Sequence, residues 1–192
     1  MAQKPKHWVL ALLKPNNLRS TGGYIRSLLR KGLNVQGPDA LDKIYNYLPI
    51  DERIGSSGQP TERQFQAIRA AGFAHVINLA PHGAENSIDD EQSVVERLGM
   101  SYCHIPVDFK NPTEEDYRDF SEQMRLATES ETRVWVHCAA NMRVSAFIYR
   151  YSLDNELSER EEARARLHAI WTPFGVWERF VRHAEAPKAE ST

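Results

Sequence analysis

Residues 133–147 read "RVWVHCAANMRVSAF": a β-branched apolar run, a loop opened by Cys138, and an apolar stretch of helical character beginning near Arg143. A strand that ends in a short loop and turns into a helix points several backbone N–H groups into one concavity. The partial positive charge of the helix start adds to them, so such a junction binds tetrahedral anions. A thiol at its mouth feels the same field, which lowers its pKa and populates the thiolate, the form that attacks. Arg143 supplies a planar fork able to hold two oxygens of a phosphoryl group. Asn141 suits a tight anion loop because Asn tolerates positive φ better than most residues. Ser145, in the first helical turn, is placed to hydrogen-bond the sulfur. The anion-binding candidates are therefore Ala139, Ala140, Asn141, Met142, Arg143 and Val144, with His137 orienting the loop. Taken alone, Cys138 reads as a small buried hydrophobe; the combination of strand, His-Cys, small residues, Arg, Ser and helix argues for more.

Cleaving a phosphate ester with a thiolate requires a proton donor for the leaving oxygen. In "IPVDFKNPTEED", Asp108 directly follows a strand-like run, 30 residues ahead of Cys138. It is the preferred acid. Glu114, Glu115 and Asp116 fit the first turn of a helix, where acidic residues complement the dipole.

The surrounding chain fits this placement. Its 192 residues suffice for one domain with a real core, and a composition of 41% apolar and 26% charged residues is that of an ordinary globular protein. A net charge of −2 gives no reason to expect nucleic acid as a partner, although residues 1–44 carry eight Lys/Arg against two Asp/Glu. The apolar stretch "WVLALL" is too short to span a bilayer and a poor signal-peptide core, which leads to the expectation of a cytoplasmic protein. Two cysteines make no disulfide framework, and the seven histidines show no metal-ligand spacing. Neither a metal nor a cofactor is expected.

From about residue 45, strand-like and helix-like segments alternate. Thr61 with Gln64 forms a capping box ahead of a helix ended by Gly72. "FAHVINLA" (73–80) and "MSYCHIPV" (100–107) read as strands. Ser87 with Asp90, Thr113 with Asp116 and Ser158 with Glu161 read as further helix starts. "RIGSSGQP" (53–60) reads as loop or edge strand. After the cysteine loop, helices are expected over about 143–154, 158–170 and 174–184. Trp171, Phe174, Trp177 and Phe180 recur at helical spacing and read as a core seam. This alternation predicts an α/β fold with a central, mainly parallel sheet flanked by helices, its ligands bound beyond the carboxyl ends of the strands. The domains expected are a basic helical extension (1–44), the α/β domain (45–184) and a frayed tail (185–192).

"SSGQPTERQFQAIRAAGFAHVINLAP", "IPVDFKNPTEED" and "VWVHCAANMRVSAF" together resemble the bacterial branch of dual-specificity-type protein tyrosine phosphatases, including the phosphatase-like domain of β-lactamase-hydrolase-like proteins. The similarity covers about residues 45–170. It implies a cysteine-phosphatase-like fold and a metal-independent phosphatase acting through a phosphocysteine, with Cys138 as nucleophile, Arg143 as phosphate clamp and Asp108 as acid then base. The implied substrate is a phosphorylated protein or small phosphomonoester, with phosphate, sulfate or vanadate able to occupy the loop. The spacing departs from the family pattern of five residues between Cys and Arg: here there are four, and the expected arginine place falls on Val144. Either the loop is shorter with Arg143 reaching the same oxygens, or Val144 takes the place and binding weakens. Two alternatives stand beside this reading. Rhodanese-type sulfurtransferases carry a six-residue cysteine loop, and "CAANMR" is six, but sulfur transfer leaves Asp108 unexplained. The other is a catalytically weak anion-binding or interaction protein on the same fold.

Overall fold

In the computed structural model, residues 14–32 and 40–184 are described; "WVLALL", apart from its environment in sequence, and the tail expected over 185–192 lie outside them. The strand that delivers Cys138, β5 (Val134–His137), is buried at all four positions. It lies at the centre of a five-stranded sheet with β1 (Leu48–Pro49), β2 (Ile54–Ser57), β3 (His75–Asn78) and β4 (Ser101–His104), ordered β1-β2-β5-β3-β4. Only β1 runs antiparallel, so the sheet is mainly parallel as the alternation predicts. The 53–60 segment, read as loop or edge, supplies β2, an inner strand between β1 and β5. Its small residues fit it for that place. A Cβ on Gly55 would come within 2.7 Å of the Trp135 ring, so only glycine lets β2 lie against β5 at that point.

Strand alternation sends successive side chains to opposite faces, and each face has its own core. Val134 and Val136 join one apolar cluster and Trp135 the other. On the first face pack α4 (Glu114–Glu129), α5 (Met142–Asp154), α6 (Arg160–Ile170) and α7 (Val176–His183). On the second lie α2 (Glu62–Ala70), α3 (Glu91–Arg97) and the 3-10 turn at Leu41–Lys43. Trp171, Trp177 and Phe180 are buried and in ring contact in sequence, Trp171 with Trp177 and Trp177 with Phe180, and Phe180 stacks on Phe147, which makes the aromatic run the core seam its spacing suggests.

Helix starts divide into two groups. Thr61/Gln64 and Thr113/Asp116 close complete capping boxes. The other two do not. Helix α3 begins after Asp90, which is left-handed at φ 51° and makes no side-chain cap. Helix α6 is entered through Glu159, and the Ser158 hydroxyl is buried without a hydrogen-bond partner among the described residues. Helix α1 (Pro15–Gly32) belongs to the basic N-terminal stretch, and it is tied to the body by polar side chains. Asn17 accepts from Thr172 N (2.8 Å) and donates to Thr172 O, while Ser20 Oγ donates to Ile170 O at 2.6 Å.

Gly55→Ala should force the Trp135 ring to shift, an overpacking cost of about 1–3 kcal/mol readable by urea denaturation. A stability equal to the parent's would mean that the strand spacing relaxes freely.

Candidate active site

The loop after β5 has a simple requirement. To receive an anion its N–H groups would have to point inward, and in a trans peptide the C=O of the same unit then points outward, where it needs donors of its own. Two amide side chains and one backbone group supply those donors. Asn86 Nδ2 donates to Ala139 O at 2.9 Å, with Gln59 N at 3.4 Å, and Asn46 Nδ2 donates to Ala140 O at 2.9 Å. With these carbonyls held by donors from other segments, the N–H groups of the same peptide units, those of Ala140 and Asn141, point the opposite way. Asn141 itself is the left-handed residue at φ 64°, ψ 3°, and it begins α5. Its Nδ2 donates to Asn46 O (2.7 Å) and Ser56 Oγ (3.1 Å), so Asn46 and Asn141 grip one another's neighbourhood reciprocally. Cys138 is fully buried at the base of the loop, with its N–H on Ser57 O at 3.4 Å.

Arg143 is 9% exposed and lies under the acid segment. Its Nε donates to Val107 O at 2.9 Å, and its guanidinium carbon stands 5.2 Å from the centroid of the Phe109 ring. One N–H thus ties Arg143 to the residue just before Asp108, which leaves the two terminal nitrogens of the fork for an oxyanion. Asp108 is exposed and closes a tight turn: its Oδ1 accepts from Lys110 N at 2.9 Å and its carbonyl from Asn111 N. Trp177 Nε1 holds the other side of this turn through Phe109 O at 2.8 Å. Val144 points into the core at 0% exposure, so its side chain is no anion ligand. Ser145 also departs from expectation. Its hydroxyl proton is committed to Met142 O at 3.1 Å rather than to the sulfur, a common back-bond in a helix's first turn. Met142 is half-buried against the core.

Behind the loop sits a buried polar cluster. His137 Nε2 lies 3.1 Å from Glu91 Oε1, with His137 fully buried and Glu91 6% exposed. The approach is poorly directed for an N–H···O bond, and neither ring nitrogen makes one among the described residues. The same carboxylate accepts from Asn78 Nδ2 (2.8 Å), Tyr102 OH (3.0 Å) and Gln59 Nε2. Burial works against the charged carboxyl, but His137 and the Gln59 and Tyr102 donors outweigh it and hold Glu91 below its ordinary value. The opposite applies to Tyr102, whose hydroxyl is pushed up by burial and then by Glu91. His137 anchors the start of the loop through its carbonyl, which accepts from Leu79 N at 2.8 Å.

Other candidates fall elsewhere. Cys103 pairs in register with Ile77, and Ile77 with Val136, so two strand spacings of about 4.8 Å separate β4 from β5. That exceeds disulfide reach, and both cysteines are free. Burial raises the Cys103 thiol. His104 is engaged with Ala80 O at 2.7 Å, and Lys110 is exposed. Among the described residues no group of three His, Cys, Asp or Glu could hold a metal, and no helix is long and apolar enough to cross a membrane. The residues that sequence reasoning missed are Asn46, Asn86, Gln59 and Glu91. Gln59 lies in the quoted "GQPT" turn; nothing in the sequence around Asn46 or Asn86 marks them as partners of a loop some 50–90 residues away.

A parallel sheet that delivers a cysteine loop into a helix start, beneath an acid segment, is the fold of the cysteine phosphatases. A DUF442 protein from Shewanella putrefaciens CN-32, described as a candidate phosphatase, superposes with a TM-score of 0.67 at 32% identity, covering 76% of this chain and 94% of that one. The chain belongs to that DUF442 family. Tk-PTP shares the fold at a TM-score of 0.62 and 18% identity, over 73% of this chain and 96% of its own. A "Beta-lactamase hydrolase-like protein" of Xylella fastidiosa strain Temecula1 is 35% identical over 125 residues, which is 62% of this chain but 28% of that protein. The chain thus matches little more than a quarter of that relative's length. No family model matches the chain.

Glu91→Ala leaves the buried Asn78, Tyr102 and Gln59 donors without their acceptor, so it should cost at least about 1–3 kcal/mol in urea denaturation at pH 7. The sign with pH follows from the lowered pKa. Glu91 contributes stability above its unfolded value of about 4.5, and that contribution is lost as pH falls through its lower folded value. The stability gap between the parent and Glu91→Gln should therefore narrow on acidification below pH 4.5; a gap constant with pH would show that the charge is not what matters.

Proposed function

We propose that the chain is a cysteine-dependent phosphatase that hydrolyses phosphomonoesters of the phosphotyrosine or dual-specificity type through a phosphocysteine intermediate. The observation that supports this most is the pinning of the Ala139 and Ala140 carbonyls away from the loop, which turns the amide protons above Cys138 toward a common guest. Membership of a family that includes a candidate phosphatase supports the same reading. It argues against sulfur transfer.

In the first step the Cys138 thiolate attacks phosphorus, an S–P bond forms, and the P–O ester bond breaks. The departing alkoxide or phenoxide takes its proton from the Asp108 carboxyl. In the second step Asp108, now ionised, takes a proton from water as the water oxygen attacks the phosphocysteine. The S–P bond breaks, inorganic phosphate leaves, and the thiolate is restored. Arg143 serves in the arginine role despite the four-residue spacing. Val144 is turned into the core, and the fork of Arg143 reaches guest oxygens through its terminal nitrogens while Nε stays on Val107. That bond also couples the clamp to the acid segment, so one contact places both groups. The loop amides, helix α5 and Arg143 supply the positive field by themselves, so the proposed chemistry requires no metal. A cytoplasmic setting fits the two free thiols.

Purified protein should hydrolyse p-nitrophenyl phosphate in the presence of a chelator and be inhibited by vanadate. Cys138→Ser should abolish turnover, Asp108→Asn should slow it roughly 10²–10⁴-fold, and Arg143→Lys should lose most activity because a point charge cannot replace the fork. Full turnover by Cys138→Ser would end the thiolate mechanism. Thiosulfate–cyanide transfer without phosphatase activity would replace it with the sulfurtransferase reading.

A further inference from the structure

The N-terminal helix is joined to the anion loop by a short chain of hydrogen bonds. On α1, Ser20 is 1% exposed; its Oγ accepts from Asn46 Nδ2 at 3.2 Å, and its carbonyl accepts from the Tyr45 hydroxyl. Asn46, itself left-handed at φ 49°, is the residue that holds Ala140 O and receives Asn141 Nδ2 on its own carbonyl. Tyr45 closes the connection from the side. Its carbonyl accepts from Gly58 N at 2.7 Å, and Gly58 bridges to Ala140. A Cβ on Gly23 or Gly58 would strike the Tyr45 ring, so two glycines make room for that ring between α1 and the loop. Tyr24, one turn further along α1, donates to Glu85 at 3.5 Å and feels the charge of Arg143.

We infer that Asn46 is a positioning residue of the anion site and that Ser20 of α1 acts through it, so that the N-terminal helix is a working part of the oxyanion pocket. The reason is geometric. Asn46 has two amide protons, one on Ala140 O and one on Ser20 Oγ, and Ser20 is fixed in turn by its bond to Ile170 O. Without Ser20 the amide is free to rotate, Ala140 O loses its donor, and the peptide that presents the Asn141 N–H can flip. A loop with only four residues between cysteine and arginine has few amides to spare. Losing one should weaken the grip on the anion itself more than it alters the chemistry at sulfur. This inference rests on the phosphatase reading for its ligand, but its structural half stands apart from it.

The test uses the full chain and two readouts: competitive inhibition by inorganic phosphate and vanadate, and hydrogen–deuterium exchange of peptides covering residues 138–145. Asn46→Gly keeps the positive φ and removes the donor. It should raise both inhibition constants roughly tenfold, the effect of leaving a buried acceptor unpaired, and speed exchange in 138–145. Ser20→Ala should do the same more weakly, Ser20→Thr should restore parent values, and Leu18→Ala, on the solvent side of the same helix at 51% exposure, should change neither readout. KM should rise more than kcat falls. Parent-like inhibition constants and parent-like exchange in Asn46→Gly would overturn the inference. If the parent binds neither anion, the phosphatase reading fails, and the exchange data alone then decide whether Asn46 sets the loop: faster exchange upholds it and unchanged exchange refutes it.

Discussion

The proposed anion site depends on where two carbonyls point. Ala139 and Ala140 must face away from the cavity for their neighbours' N–H groups to face into it, and a carbonyl turned into the protein needs a partner. Asn86, Asn46 and the Gln59 N–H meet that need. They come from three separate segments, so the loop's shape is set by the tertiary structure as a whole and not by its own six residues. The left-handed turn at Asn141 closes the geometry and starts α5, which adds its dipole.

The acid segment is held by a comparable device. Arg143 spends Nε on Val107, and Trp177 spends its indole N–H on Phe109, so the turn carrying Asp108 is clamped on both sides of that residue. One clamp comes from the anion loop's helix and the other from the aromatic seam of the first core. The sheet therefore does more than carry strand ends to one rim. By splitting the apolar residues of β5 between two faces, it gives the rim two independent foundations.

How much of this was legible depends on the range of the interaction. Strand runs, the boxes at Thr61 and Thr113, and the strand–cysteine–helix junction are local patterns, and the residues that make them are adjacent. The apparent boxes at Ser87 and Ser158 carried the same letters, yet the helices start later, because Asp90 turns left-handed ahead of an inward-drawn Glu91 and the Ser158 hydroxyl finds no acceptor. Ser145 was read toward the sulfur, but a carbonyl three residues back captures it first. Asn46 and Asn86 could not be read at all, since an asparagine that serves a distant carbonyl has the same spelling as one that ends a turn.

The cluster around Glu91 has a consequence for the whole pocket. A carboxylate buried next to the residue preceding Cys138 is a negative charge beneath the proposed anion site. Gln59, Asn78 and Tyr102 direct their positive ends at it, and the His137 ring stands alongside, so the charge is answered by donors within hydrogen-bond distance. The protein in this way keeps a fixed charge inside its own ring of donors behind the strand that leads to Cys138, an insulated anchor.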